Sequence, residues 1–282
     1  MAQPWDYIAK IVSLGDSGCG KSSLTIRLCE GRFVNHHDVT IGVEFGSRIV
    51  PVGPPFSHTL NINNPGHRKQ ASIQAGAGAG GKGKAGVVDK NQRHMKLSLW
   101  DTAGQETYKS ITRSYFRGAS GALLVFDITR RQTFLSATAW LQDLRQIAEE
   151  NIIVVLVGNK SDLAPSSTVT KSTDAPPEGE AGKNLREVTV QEAETWCRQN
   201  HVLQYVETSA KSGEGVERAF LEVAERIYQN IEAGKYDLND RRSGVKSAAT
   251  VGGSGNTART VNLGMNDAAA SRRGGKGGGM CC

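Results

Sequence analysis

The stretch GDSGCGKS, Gly15 to Ser22, decides the fold because it joins two segments of different hydrophobic periodicity. Residues 7–15 (YIAKIVSLG) form a short apolar run that predicts a strand, and residues 21–30 (KSSLTIRLCE) carry apolar residues at helical spacing. The stretch itself matches the phosphate-binding pattern G-x-x-x-x-G-K-[ST], which has physical meaning at a strand-to-helix junction. The sequence therefore predicts a strand, a phosphate loop and a helix in succession.

The residue types of this loop suit phosphate chemistry. Glycines let the backbone turn its N–H groups toward phosphate oxygens, and the following helix adds the positive end of its dipole. We expect Lys21 to reach the β- and γ-phosphates and the Ser22 hydroxyl to bind Mg²⁺. A chance Gly-rich turn is the alternative, which the agreement of motif and position disfavours. The predicted nucleotide-binding residues of this stretch are Ser17, Gly18, Cys19, Gly20, Lys21, Ser22 and Ser23.

Outward from the loop, strand-like and helix-like patterns alternate. Further β-type runs occupy residues 43–50, 95–100, 121–126, 152–158 and 202–207, and amphipathic helical patterns occupy 132–149, 190–199 and 214–233. Such alternation implies a mostly parallel sheet covered by helices on both faces. We predict a doubly wound α/β domain of the phosphate-loop NTPase type, with six strands, over residues 1–233.

Three segments do not suit that core, namely residues 51–94, 164–184 and 234–282. They have too few large apolar side chains to offset the entropy of ordering them, so we predict two disordered insertions and a flexible tail. Insertions of this length between strands are tolerated because loop-closure entropy grows slowly with length. A tolerated insertion is the leading interpretation of residues 51–94. The alternative is that its lysines and arginines contact a membrane or a partner.

Composition narrows the class of protein. The 282 residues are 38% hydrophobic and carry a formal net charge of +6, which falls largely in the 51–94 segment and the tail. Aromatic residues do not interleave with the basic ones, so we expect no nucleic acid partner. We expect no signal peptide, membrane span or N-terminal myristoyl group, and the spacing of the five cysteines suits neither disulfides nor zinc. A reducing cytosolic compartment fits best.

The string NKSD, Asn159 to Asp162, is predicted to recognise the base of the nucleotide, and it lies directly after an apolar strand. A carboxylate can accept from both N1–H and the exocyclic amine of guanine, a pair of donors that adenine lacks, so Asp162 is predicted to select guanine. The string SAK follows another strand and is predicted to cap the base from the other side. The predicted base-site residues are Asn159, Lys160, Asp162, Ser209, Ala210 and Lys211.

The string WDTAGQE, Trp100 to Glu106, also follows a strand. Asp101 is placed to hold Mg²⁺, the Gly104 N–H to approach the γ-phosphate, and Gln105 to orient the attacking water as the catalytic residue. Thr40, just before a strand, is predicted to bind Mg²⁺ with its hydroxyl and the γ-phosphate with its N–H. The alternatives are an ordinary polar loop for Gln105 and a turn residue for Thr40.

Five stretches together resemble a Ras-superfamily GTPase of the Rab branch. In chain order they are the phosphate loop, the segment around Thr40, WDTAGQE, NKSD and SAK. The resemblance covers residues 7–50, 95–163 and 185–233. The strings TIGVEFGSR, ITRSYFRGASGALLVFDITRRQTF, GNKSDL and IEAGKYDLN are most similar to the ER-to-Golgi subgroup called Rab two. The resemblance implies a GTP/GDP-binding switch that uses Mg²⁺ as cofactor and regulates vesicle transport. It also implies two pools of the protein, one in the cytosol and one on the cytoplasmic face of Golgi and ER–Golgi membranes.

The resemblance also implies partners. Phe45, Trp100 and Tyr115 correspond to the aromatic triad that Rabs present to effectors, and plain core residues are the alternative. Rabs ending like Cys281-Cys282 carry geranylgeranyl groups on both cysteines, which would anchor the chain to a membrane. An exchange factor, a GTPase-activating protein and a GDP dissociation inhibitor or escort protein are implied as well.

Two other functions stay open on the sequence. The first is a nucleotide-regulated scaffold with negligible hydrolysis, and the second is an ATP-using phosphoryl transferase. The NKSD string disfavours the second, and the sequence gives no sign of a second-substrate pocket. Hydrolysis is expected to be slow, because no arginine is identifiable as a finger in cis.

Overall fold

The computed structural model describes residues 3–35, 38–57, 92–164, 185–240 and 243–248. The strands and helices of this part follow in the order β1 (Tyr7–Leu14), α1 (Lys21–Glu30), β2 (Val43–Val52), β3 (Arg93–Thr102), α2 (Lys109–Ser114), β4 (Gly121–Asp127), α3 (Arg131–Ile147), β5 (Ile153–Asn159), α4 (Val190–Gln199), β6 (Gln204–Glu207), α5 (Val216–Glu232) and β7 (Val245–Ser247). The described part contains no helix with the length and apolarity needed to cross a bilayer.

The strands form one sheet in the order β2-β3-β1-β4-β5-β6, with β7 paired to β1. Strands β3, β1, β4, β5 and β6 are mutually parallel, and β2 runs antiparallel to β3. The carboxyl ends of β1, β3, β4, β5 and β6 therefore meet at one edge. The predicted doubly wound α/β fold is confirmed, because parallel strands of this kind need helical crossovers on the faces.

Two helical layers cover the sheet because successive strand residues face opposite sides. In β4, Leu123 and Val125 join the cluster packed by α1 and α5, whereas Leu124 and Phe126 join the cluster packed by α3 and α4. All seven residues of β4 are buried. An apolar run without alternation is what a central parallel strand requires.

The edges of the predicted insertions belong to the fold. Strand β2 continues to Val52 and β3 begins at Arg93, so residues 51–57 and 92–94 are described, unlike residues 58–91. The Gln92 side chain donates to the carbonyl of Val52 at 2.8 Å, and the Gly53 N–H donates to a Glu225 carboxylate oxygen at 2.8 Å. Ala164 is buried too, and the remainder of the second insertion lies outside the described residues.

The sheet has seven strands where six were predicted, because part of the predicted tail forms β7. Strand β4 pairs with β1 only from Ile11 onward, and β7 pairs antiparallel with Tyr7 to Ala9 on β1. The Lys10 N–H donates to the Gly244 carbonyl at 2.9 Å, and Val245 is fully buried. This pairing satisfies backbone groups that a bare strand edge would leave open. The flexible-tail interpretation is therefore corrected for residues 243–248, and also for residues 234–240, where Tyr236 is buried in the core.

Replacing Val245 by alanine tests this strand. The substitution removes two buried carbons, so we expect it to lower the free energy of unfolding by about 1 to 2 kcal/mol. Lys246→Ala, on the opposite face of the same strand, serves as the control and should change it by less than about 0.5 kcal/mol. Chemical denaturation measures both. Equal stability of the parent and the Val245 variant would contradict the packing of β7.

Candidate nucleotide-binding site

The phosphate loop leaves β1 at the carboxyl edge and enters α1. Gly20, the residue before α1, has a φ of 90°, and a Cβ built there would lie 2.3 Å from the Asn159 side-chain nitrogen. Only glycine fits this combination of backbone and space. The second glycine of the motif is thus required by the neighbouring β5 end as well as by the turn. Ser22 and Ser23 open α1 beside it.

Lys21 is almost fully buried within the loop. Its ammonium group donates to the carbonyls of Gly15 at 2.9 Å and Asp16 at 3.0 Å. Burial lowers the pKa of Lys21, and the negative charge of buried Asp101 opposes that shift. The ammonium is held at the mouth of the loop, where a phosphate oxygen can take it as a donor.

Two of the three predicted magnesium residues contact each other beside the phosphate loop. The Ser22 and Thr40 hydroxyls lie 2.8 Å apart, although 18 residues separate them. Asp101 is buried at the end of β3. Two hydroxyls and one carboxylate are hard oxygen donors that fit Mg²⁺, which is typically held by one or two protein groups together with phosphates and waters. Among the described residues, no group of three or more His, Cys, Asp or Glu side chains is placed to hold a metal ion.

Asn159, the last residue of β5, joins the phosphate loop to the base side. Its side-chain nitrogen donates to the Cys19 carbonyl at 2.8 Å, and its oxygen accepts from the Thr208 hydroxyl and the Ala210 N–H at 3.2 Å each. Asp162 accepts from the Ser209 hydroxyl at 2.7 Å. The NKSD and SAK strings therefore form one unit, in which the Asp162 carboxylate is oriented by Ser209.

The segment that follows β3 packs against the phosphate loop at Gly15 and Lys21. A Cβ built on Gly104 would lie 2.5 Å from the Lys21 ammonium and 2.6 Å from the Gly15 carbonyl oxygen, so the backbone itself fills this space. Gln105 follows, half-buried, and precedes a short 3₁₀ turn at Glu106–Tyr108. Gly104 is thus next to the Lys21 ammonium, and both residues are predicted to contact a γ-phosphate or its attacking water. Their roles remain predictions.

The three predicted effector residues form a contiguous aromatic surface. The Phe45 and Trp100 ring centroids are 4.5 Å apart, and those of Trp100 and Tyr115 are 5.5 Å apart. Phe45 is 65% exposed, and Ile41, four residues earlier in the chain, is 78% exposed. The ammonium group of Lys10, a residue of β1, lies 4.0 Å from the centroid of the Trp100 ring, so Trp100 also packs within the domain. Both roles weighed for Trp100 are compatible with this position.

Sequence reasoning missed several residues that hold the site. The Trp140 indole donates to the Asp16 carboxylate at 2.7 Å, and Arg27 donates to the carbonyls of Ala210 and Lys211. Arg130 donates to the Ser17 carbonyl at 3.0 Å. The Trp140–Asp16 pair is separated by 124 residues, and no local pattern signals such a contact.

This arrangement defines a phosphate-loop nucleotide-binding protein. The Ras family model matches residues 10–63 and 73–229, and the chain belongs to the Ras family. It is accordingly a small GTPase. Members of this family bind GTP and GDP, typically with Mg²⁺, and generally interact with exchange factors, activating proteins and effectors.

Asn159→Ala should loosen the nucleotide. The variant loses the hydrogen bonds to Cys19, Thr208 and Ala210, so we expect GDP to dissociate about 10- to 100-fold faster. The control is Asn151→Ala, an exposed asparagine just before β5 at the opposite end of that strand. Stopped-flow release of a fluorescent GDP analogue measures both. An unchanged release rate would show that Asn159 does not connect the two sides.

Proposed function

We propose that the chain is a Rab-type GTPase that recruits effectors to Golgi and ER–Golgi membranes in its GTP state and thereby regulates vesicle transport. The observation that carries the proposal is the contact between Ser22 and Thr40, because Thr40 lies five residues before Phe45, the exposed member of the aromatic surface formed with Trp100 and Tyr115. Thr40 lies just before β2, which bears Phe45, and Gly104 lies just after β3, which bears Trp100. Groups that would sense a γ-phosphate are thus continuous in sequence with two members of this surface. The site and the surface can respond together.

The switch works through order and disorder of two segments. Thr40 and Gly104 would both contact the γ-phosphate, so the triphosphate would hold both segments against the phosphate loop. Ser22, Thr40 and Asp101 would hold Mg²⁺, which would supply charge neutralisation at the phosphates. Loss of the γ-phosphate releases the segments. The aromatic surface then loses the neighbours that fix its shape, and effectors dissociate.

Hydrolysis requires water in line with the γ-phosphorus. The side chain of Gln105 orients that water, the new bond forms between the water oxygen and phosphorus, and the bond to the β–γ bridging oxygen breaks. Phosphate and GDP are the products. Arg130, the arginine bonded to the phosphate loop, is engaged with Asp127 and Ser17. We therefore expect slow intrinsic turnover and an arginine supplied by an activating protein.

Membrane attachment follows from the terminal Cys281 and Cys282, which lie outside the described residues. Burial of a prenyl chain stabilises membrane binding by about 0.8 kcal/mol per CH₂, and stable anchoring takes two such signals. Two geranylgeranyl groups meet that condition. An escort protein or GDP dissociation inhibitor would then be needed to keep the prenylated chain in the cytosol.

Single-turnover hydrolysis separates this proposal from a nucleotide-regulated scaffold. With a Rab-activating protein, the parent should hydrolyse GTP about 10³- to 10⁵-fold faster than alone, and Gln105→Leu should lose that acceleration because it cannot orient water. Both proteins should bind GTP equally well. No hydrolysis by the parent with an active Rab-activating protein would favour the scaffold.

Imaging tests the membrane proposal. The intact chain should concentrate on Golgi and ER–Golgi membranes, and the variant with Cys281 and Cys282 both replaced by serine should be diffuse, because it has no thiol to prenylate. Cys29→Ser is the control and should leave the membrane pattern unchanged. Equal membrane association of the double-serine variant would contradict anchoring through these cysteines.

A further inference from the structure

Asp127 ends β4 at the nucleotide edge of the sheet and is not among the predicted site residues. Its side chain is only 1% exposed. A buried carboxylate is costly unless it is paired and hydrogen-bonded, so its partners explain why it lies there.

Both oxygens of Asp127 are engaged. Oδ1 accepts from the Thr129 N–H at 2.9 Å and from the Thr129 hydroxyl at 2.6 Å. Oδ2 accepts from the Lys160 ammonium at 2.7 Å and from the Arg130 Nε at 3.1 Å. Burial alone would raise the pKa of Asp127, but the hydrogen bonds from Lys160 and Thr129 hold it below its ordinary value. The group is therefore an anion at neutral pH, and it binds two cations at one oxygen.

The two cations belong to opposite halves of the site. Lys160 lies in the base-binding turn and has a φ of 69°, a left-handed conformation that costs free energy in a residue other than glycine. Arg130 reaches the phosphate loop, where it donates to the Ser17 carbonyl at 3.0 Å. Its guanidinium also lies 3.3 Å from the position a Cβ would take on Gly18.

These contacts form a second connection between the halves. The first is the Asn159 amide, which reaches the Cys19 carbonyl from inside the domain. The second runs from Lys160 through Asp127 and Arg130 to Ser17. Two connections at different loop residues resist rotation of the loop relative to the base-binding turn, which a single hydrogen bond cannot do.

We infer that Asp127 is a positioning residue, which holds Lys160 and Arg130 so that the base-binding turn and the phosphate loop stay in register around the nucleotide. The inference rests on the proposed binding of guanine nucleotide at this site. Its main consequence is kinetic. Loss of the connection speeds nucleotide dissociation, whereas association, which is governed by access to the site, changes little.

The test compares GDP association and dissociation rates of the full chain with Mg²⁺. Asp127→Asn keeps the shape and the acceptor for Thr129 but loses the charge, so we expect dissociation to be about tenfold faster or more. Association should change by less than about threefold. Arg130→Gln should act in the same direction, and Arg130→Lys should restore part of the loss because it keeps a cation near Asp127.

The matched control is Asp6→Asn. Asp6 likewise accepts from an arginine side chain and from a backbone N–H, at 2.7 Å from Arg93 and 2.8 Å from His94, but it lies before β1 at the far end of the sheet. Its loss should leave dissociation unchanged.

The outcomes are distinct. If the parent binds no GDP, both the proposed function and this inference fail. If the parent binds GDP and Asp127→Asn releases it no faster than Asp6→Asn, the inference alone fails. If Asp127→Asn does not fold, the variants of the surface residue Arg130 decide the question. Equal GDP release rates for Arg130→Gln and the parent would overturn the inference. The variant that combines Asp127→Asn with Arg130→Gln should release GDP at the same rate as Asp127→Asn alone, because both substitutions break the same chain of contacts.

Discussion

The Asn159 amide is the interaction on which the site depends. It donates to the phosphate loop and accepts from Thr208 and Ala210 in the segment that contains SAK, so one side chain links the end of β5 to two other stretches of chain. It can do so only because Gly20 leaves room for it. The parallel sheet places the ends of β1, β5 and β6 at the same edge, and the buried amide then fixes their distances. A buried amide that lost one partner would carry the full cost of desolvation, which makes the arrangement all-or-none.

Charge is concentrated at the same edge of the sheet. Lys21, Asp101 and Asp127 are all buried there, and each is costly to bury without a partner. The described part of the chain meets that cost by pairing, as Lys21 does with two loop carbonyls and Asp127 with Lys160. A nucleotide with its phosphates extends this network. The phosphates would thus add partners for the buried charged groups at this edge of the sheet.

The sequence predicted the fold class and the positions of the motifs well, because both depend on local patterns. Alternation of strand and helix periods indicates parallel pairing, and GDSGCGKS has meaning only at a strand end. The three residues of β7 are too few for a periodic signal, and α2, with the sequence KSITRS, has no amphipathic stripe. Likewise, Arg130 reaches Ser17 across 113 residues, a contact that depends on tertiary packing alone.

The most direct test of this account is to identify the nucleotide that copurifies with the full chain and to displace it with GTP or ATP at matched concentration and with Mg²⁺. The account predicts bound GDP that GTP exchanges readily and ATP does not, because the Asp162 carboxylate matches the donors of guanine and not those of adenine. Protein that carries no guanine nucleotide and takes up ATP as readily as GTP would contradict it.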